Sequence, residues 1–360
     1  MFPIKAFPLD AISTLSSAEL IGKLERGEMS LLKSFRVDRG HFLRRAAAGP
    51  RSAWREIRGL FTWYLSLYMM KWIVGPACRF MLWCILLGDR GVEGAEYWRR
   101  KRARAVRVVR FFFPDNVTGD TSSITDQGLI VGFNHPTLHE ILSLIAWSLE
   151  RFPDRRNNFP VNLPWYESIC TVAPAMGKLG VCITPLITPS TFGKLEKIHR
   201  GDEAMVGAIT EVRDIFVNFY FSTAIDFERA GDNTFAAPSS GRQVTIFPGA
   251  AAFNRDPEAM RLLPAMSGLM LWIARANRDR KPEVIFLPVT VIPPRVRIRS
   301  LRGLKPFRKY QLAVGRGFTM EEARALGRGI DYAFLQRLTE NAPEELWFPK
   351  TGATPCMCVY

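Results

Sequence analysis

Asn134-His135-Pro136-Thr137-Leu138-His139-Glu140 follows the apolar run Gly128–Phe133 and sets a histidine and a carboxylate five positions apart, where a buried strand is expected to turn into a helix. A histidine whose tautomer is fixed and whose basicity is raised by a carboxylate can take a proton from an alcohol. Positions five apart on one continuous helix point in different directions, so the contact requires His135 in the turn and Glu140 in the first helical turn. Pro136, a residue favoured at helix starts, fits that arrangement. The same residues also read as a capping box, with Thr137 as the cap and Glu140 reaching back to a free backbone N–H. The two roles are compatible, because a carboxylate held at the helix N-terminus stays within reach of the turn.

Those side chains need a scaffold, and the downstream sequence supplies its pattern. Val244–Phe247 reads as a short buried strand that ends in the turn Pro248-Gly249, followed by small residues and the cation Arg255. A helix is expected over Ala265–Ala276 and an apolar strand over Val284–Val291. Further strands at Leu129–Phe133, Val181–Ile183 and Gln311–Val314, with helices near Leu138–Glu150 and Asp202–Phe216, give an α/β class: a mixed, largely parallel central sheet flanked by helices. Sites in such sheets lie at strand ends. His135 and Gly249 therefore face one crevice provided that their strands are neighbours and run the same way.

The order of these pieces resembles the glycerolipid acyltransferase family over about residues 55–315: Asn134-His135 with the acid Glu140, then Phe247-Pro248-Gly249 with an arginine beyond, then an apolar strand carrying Pro288-Val289. The resemblance implies that His135, oriented by Glu140, removes the proton from an acceptor hydroxyl as it attacks an acyl thioester, with no acyl-enzyme. The co-substrate would be acyl-CoA or acyl-carrier protein, with no cofactor and no metal. Asn134, Phe247, Pro248 and Gly249 would bind substrate, and Arg255, more weakly Arg200, would hold an acceptor phosphate in a guanidinium fork. Backbone N–H groups near Gly249-Ala250 or in the turn that begins at Pro136-Thr137 are the candidate oxyanion donors.

The sequence also departs from the family. Glu140 stands where the family has aspartate, one methylene shorter. Gly249 directly follows Pro248, so the glutamate of the family's Phe-Pro-Glu-Gly-Thr-Arg is missing. The middle motif is represented by Gly180-Val181-Cys182-Ile183-Thr184 with Lys194, Lys197 and Arg200 further on, and the 112 residues between His135 and Phe247 imply an insertion near 200–242. These features mark a divergent member. They leave open a different acceptor, such as another lysolipid or an amino-acid lipid, and a catalytically weak lipid-binding scaffold. A soluble hydrolase ranks last, because the sequence has no Gly-x-Ser-x-Gly elbow.

Composition independently suggests a membrane-facing enzyme. With 48% hydrophobic and 23% charged residues the chain is a folded protein. Residues 1–110 carry 21 lysines and arginines against 9 acidic residues, and so hold twelve of the fifteen net positive charges. The longest apolar stretch, Leu60–Leu87, includes Trp63, Tyr64, Tyr68, Trp72, Phe80 and Trp83 but is interrupted by Lys71, Pro76 and Arg79, unlike a spanning helix. Two helices broken at Gly75-Pro76 are expected. Arg51, Arg55 and Arg58 precede them, and Arg99-Arg100-Lys101-Arg102, Arg104, Arg107 and Arg110 follow. The whole suggests an interfacial anchor on an anionic membrane surface; the competing reading is a buried hairpin with a solvated basic face. Basic charge would also attract an acidic carrier protein or the phosphates of coenzyme A. No zinc-ligand spacing or nucleic-acid motif accompanies the cluster, so nucleic acid is not expected as a partner.

The expected organisation is a helical extension (1–50), the basic aromatic hairpin (51–110), an acyltransferase α/β domain (111–325) and a C-terminal helix and tail (326–360). Ser16-Ser17-Ala18-Glu19 before Leu20, Ile21 and Leu24 reads as a capped amphipathic helix. The first fifty residues do not look like a secretory signal, which puts the expected location at the cytoplasmic face of a membrane. Six cysteines, at 78, 84, 170, 182, 356 and 358, form no CxxC pair and read as reduced thiols.

Overall fold

A computed structural model describes residues 5–6, 9–36, 47, 54, 58, 70–88, 94–119, 121, 129–134, 140–153, 155–224, 243–250, 253–254, 284–292, 309–325, 333–334, 336–338 and 347–348. His135, Arg255, the expected helix Ala265–Ala276, residues 60–69 of the aromatic stretch and both C-terminal cysteines lie outside the described residues. The chain divides into two compact units. One comprises Met1–Trp83, Val161–Ala175 and Ile183–Tyr220, and the other Cys84–Pro160, Met176–Cys182 and Phe221–Tyr360.

In the first unit, β1 (Lys5–Ala6) pairs in parallel with β2 (Met29–Ser30). Between them Ser16 caps the helix Ser17–Glu25 in the expected box, accepting from the Glu19 N–H while the Glu19 carboxylate accepts from the Ser16 N–H at 2.9 Å. Its apolar side, Leu20, Ile21 and Leu24, is buried against Leu163, Tyr166, Leu195, Val212 and Phe216 from the helices Leu163–Ile169, Pro189–Ile198 and Glu203–Ala224. Three polar ties accompany that core. Tyr166 donates to Glu25 at 3.2 Å, Glu167 accepts from Ser30 Oγ at 2.5 Å and the Leu32 N–H at 3.0 Å, and His199 Nε2 meets the Phe35 carbonyl at 2.9 Å. Burial raises the Glu25 carboxyl above the usual range, and the Tyr166 hydrogen bond pulls it part of the way back.

The central sheet contains β3 (Asp115–Thr118), β4 (Leu129–Asn134), β5 (Arg156–Asn162), β6 (Val181–Leu186), β7 (Gln243–Ala250), β9 (Ile285–Ile292) and β10 (Tyr310–Val314), in the order β3-β10-β9-β4-β7-β5-β6. A small separate pair joins β8 (Phe253–Asn254) to β11 (Trp347–Phe348). β9 and β10 are antiparallel, whereas the β10–β3, β9–β4, β4–β7 and β7–β5 pairs are parallel. The mixed, largely parallel α/β class expected from the sequence is the one observed. A strand flanked on both sides reads as an unbroken apolar run, and Leu129, Ile130, Val131 and Phe133 of β4 are all at most 1% exposed.

The helix expected at Leu138–Glu150 occupies Glu140–Arg151, and the one expected at Asp202–Phe216 extends over Glu203–Ala224. β3 and β5 are additions to the strands expected. The start of β5, Arg156-Asn157-Asn158, has poor strand propensity but is held by tertiary contacts. Asn157 is fully buried, and both its backbone N–H and its side-chain amide donate to the Gly180 carbonyl.

Gly75-Pro76 marks a change of helix type in the aromatic stretch. Met70–Val74 is a π-helical turn, and an α-helix follows over Gly75–Leu86 with Pro76 in its first turn. Trp72, Phe80 and Trp83 are 60%, 54% and 58% exposed, and Phe80 and Trp83 stack at 6.0 Å between ring centroids. No helix among the described residues is long and apolar enough to cross a membrane.

Candidate functional site

The strands that lead into the two sequence motifs are neighbours at the middle of the sheet. β4 and β7 are adjacent and parallel, and their register pairs Gly132 with Phe247, Phe133 with Pro248 and Asn134 with Ala250. The register shifts between Phe133 and Asn134, so Gly249 is an extra residue on the β7 side, a bulge at the carboxyl end of both strands. Bulges at such positions re-aim the chain. β5 pairs with β7 only over Gln243–Thr245, so Pro248, which cannot donate to a ladder, lies beyond that pairing. Asn134 is the last residue of β4 and Glu140 the first of the following helix; His135 and its four neighbours are the connection between them and are outside the described residues.

The remaining sequence-derived candidates lie in the first unit, on the middle-motif segment or outside the described residues. Arg255 is outside them. Arg200 belongs to the first unit, exposed, just after the helix Pro189–Ile198. Of the middle-motif residues, Gly180 adopts φ +89 and its carbonyl receives Asn157, while Cys182 Sγ accepts from Arg156 Nε at 2.8 Å. Lys194 is held below the usual lysine range by partial burial.

Of the basic cluster on the helix Gly94–Phe112, Lys101 and Arg102 are buried, whereas Arg99, Arg100 and Arg107 are exposed. Arg99 and Arg100 both bind Glu96, at 2.6 and 2.8 Å. Lys101 is fully buried, and Arg102, 7% exposed, donates to the carbonyls of Trp98 and Pro153. Arg110 forms a two-bond fork with Glu150 at 2.6 and 2.7 Å and lies 2.8 Å from Asp115, whose carboxyl is raised by burial and lowered in part by that guanidinium. The hydrogen bonds from Arg99 and then Arg100 hold the Glu96 carboxyl down at about 2. A carboxylate depressed in the folded state adds stability above its unfolded range and loses it as pH falls towards the folded value. Glu96 is exposed, so its titration rather than global stability is the measurement: a carboxylate NMR titration is expected to give a midpoint of about 2, returning to the ordinary range in the Arg99→Gln/Arg100→Gln variant.

A cleft of about 640 Å3 is lined by Arg110, Asp115, Thr121, Trp147, Arg151 and Val314 among others. It sits at the last turn of the helix Glu140–Arg151. At a rise of roughly 1.5 Å per residue that is about 15 Å along the axis from Glu140, so the cleft is not the site formed by β4 and β7. No group of three or more metal-ligating side chains occurs among the described residues.

One close approach at the candidate site carried no functional reading in the sequence. A Cβ on Gly132 would lie 2.0 Å from Phe334 Cζ and 2.8 Å from Cε2. The available signal was a glycine inside an otherwise bulky strand, which marks a place where another group comes close.

No family model matches this sequence, and no curated protein matches it. Among solved structures the chain is similar to the crystal structure of the 1-acyl-sn-glycerophosphate (LPA) acyltransferase, PlsC, from Thermotoga maritima. The identity is 14%, with 81% of this chain and 98% of that one covered, at a TM-score of 0.35. A likeness at that level does not speak to function.

Proposed function

We propose that this protein is a membrane-associated acyltransferase that moves a fatty acyl group from acyl-CoA or acyl-carrier protein to a hydroxyl of a glycerol phosphate or lysophospholipid. The observation that carries this reading is the parallel pairing of β4 with β7, which sets Asn134 opposite Ala250 and Phe133 opposite Pro248 at one sheet end. Two segments more than a hundred residues apart in sequence are thereby neighbours where α/β folds hold their ligands.

In this mechanism His135, oriented by Glu140, accepts the proton of the acceptor hydroxyl as its oxygen attacks the thioester carbonyl. Backbone N–H groups near Gly249-Ala250 receive the oxyanion. Collapse of the tetrahedral intermediate breaks the C–S bond, and the thiolate leaves with the proton held by His135, giving an ester and a free thiol. Arg255 binds the acceptor phosphate. Because Gly249 follows Pro248 directly, with no glutamate between them, acceptors without a phosphate monoester belong in the same test.

Acyl-thioester consumption by the purified full-length protein is measured with glycerol-3-phosphate, lysophosphatidate, neutral or zwitterionic lysolipids and an amino-acid lipid. Consumption that depends on one acceptor supports the reading. Consumption with none of them, together with retained lipid binding, favours a scaffold. The membrane partner is supported by the exposed Trp72, Phe80 and Trp83 on a strongly basic chain. Replacing these three residues by serine is expected to lower flotation with anionic liposomes at least about tenfold, and unchanged flotation would remove the helix Gly75–Leu86 from the anchor.

A further inference from the structure

The cleft beside the last turn of the helix Glu140–Arg151 has a volume of about 640 Å3, within the range of about 300–1,000 Å3 usual for small-molecule sites. Its lining belongs to one compact unit, and Arg110, Asp115, Thr121, Glu150 and Arg151 supply its charged and hydroxyl groups. These groups divide into two parts of opposite sign. Arg110 is shared by two carboxylates, forked to Glu150 at 2.6 and 2.7 Å and 2.8 Å from Asp115, so with both acids ionised that trio carries one net negative charge. The Asp115 side chain is 3% exposed and its Oδ2 is buried with no hydrogen-bond partner among the described residues, whereas Glu150 is 53% exposed and open to solvent. The second part is the exposed Arg151. Its Nε donates to Thr121 Oγ1, and its two terminal nitrogens have no partner among the described residues. A guanidinium fixed at Nε and free at both terminal nitrogens can take a phosphate or carboxylate through two parallel bonds.

We infer that this cleft binds a zwitterion carrying a primary ammonium and an oxyanion, with the oxyanion on Arg151 and the ammonium on Glu150 of the Arg110 trio. A simple anion is drawn to Arg151 but repelled by Glu150 beside it, and a simple cation meets the reverse. Charges of both signs that sum to zero across Arg110, Arg151, Asp115 and Glu150 are complemented by a ligand that bears both. Each Glu150 oxygen accepts one bond from Arg110, and a carboxylate has about four acceptor sites, so lone pairs remain for the N–H groups of an ammonium. The same chemistry occurs in a free amino-alkyl phosphate and in a phospholipid headgroup. The site does not depend on the acyltransferase reading, since no residue of β4 or β7 lines the cleft.

The test titrates the full-length protein calorimetrically with phosphoethanolamine, phosphocholine, inorganic phosphate and ethanolamine. Phosphoethanolamine is expected to bind at least about tenfold more tightly than phosphate or ethanolamine alone. It is also expected to bind more tightly than phosphocholine, whose quaternary ammonium has no N–H to donate. Arg151→Gln and Glu150→Gln are each expected to weaken it at least about tenfold. Arg324→Gln, which removes an exposed cation of the same unit that does not line the cleft, is expected to leave it unchanged. Arg151 is exposed and tied to Thr121 alone among the described residues, so its variant decides the matter even where Glu150→Gln unsettles the Arg110 fork. Retention on phosphatidylcholine vesicles with and without phosphatidylethanolamine separates the two sources. A gain with phosphatidylethanolamine that Arg151→Gln abolishes assigns a lipid headgroup, and tight binding of free phosphoethanolamine without such a gain assigns a soluble ligand. Equal affinity for phosphate and phosphoethanolamine, or binding unaffected by Arg151→Gln, would overturn the inference. So would the absence of binding by any free probe together with no Arg151-dependent gain on vesicles.

Discussion

His135→Ala is expected to lower acceptor-dependent consumption of the acyl thioester by roughly a thousandfold, within the range of about 10²–10⁴ that a positioned general base contributes. An acceptor hydroxyl at neutral pH is a weak nucleophile, and without a base its proton must leave to water in a separate, unfavourable step. The remaining rate reflects binding and oxyanion stabilisation, which the substitution leaves in place. His139→Ala should stay within about threefold of the parent, because the proposed mechanism assigns the proton transfer to His135 alone. Glu140→Gln is expected to fall between the two, since in the proposed mechanism it removes the charge that raises the basicity of His135. Initial-rate measurements at saturating acceptor check all three. Equal rates for the parent and His135→Ala would sink the mechanism.

The central strands were legible because burial on both sheet faces leaves little choice of residue. Leu129–Phe133 and Val284–Val291 carry this signal, and β4 and β9 lie within one residue of the expected bounds. Their adjacency was not legible. Strand order is a long-range property, and a pattern along the chain holds nothing about which run pairs with which; the condition that His135 and Gly249 share a crevice needed the β4–β7 register. β5 was hidden for another reason: its start is polar, and buried hydrogen bonds from Asn157 to Gly180 replace the usual apolar side chains.

The charge pattern was legible only in part. Counting cations from Arg99 to Arg110 suggests a surface stripe, but a count does not distinguish a charge in water from one whose donors are taken up by backbone carbonyls. Lys101 and Arg102 are of the second kind, at 0% and 7% exposure. Arg99, Arg100 and Arg110 are engaged by carboxylates. The aromatic half of the proposed anchor, with Trp72, Phe80 and Trp83 outward, is supported more directly by exposure than the basic half. The capping box at Ser16 was readable because it is local. The partner of that helix, assembled from residues 163–216, was not, because more than a hundred residues separate them.

Replacing Lys101 is expected to destabilise the protein more than any exposed cation of the same helix. Its ammonium is fully buried and donates to the carbonyls of Leu86, Leu87 and Gly88 at 2.9, 2.8 and 3.0 Å, where the helix Gly75–Leu86 ends. The last carbonyls of a helix have no partner within it, and the helix dipole places partial negative charge there, so one cation answers both needs. Gly88, at φ +72, takes the left-handed conformation that turns its carbonyl into the same group. The Tyr97 ring, with its centroid 5.0 Å from the ammonium, adds a cation–π contact. Lys101→Met keeps the aliphatic stem and removes only the charge and its donors, and is expected to cost about 2–3 kcal/mol. Lys101→Ala adds a cavity and should cost roughly 4 kcal/mol. Lys101→Arg is not expected to restore the parent value, because a planar fork cannot direct its donors to three carbonyls converging on one point. Midpoints of urea unfolding check the order, and a Met variant as stable as the parent would show that the three carbonyls are satisfied equally well by water.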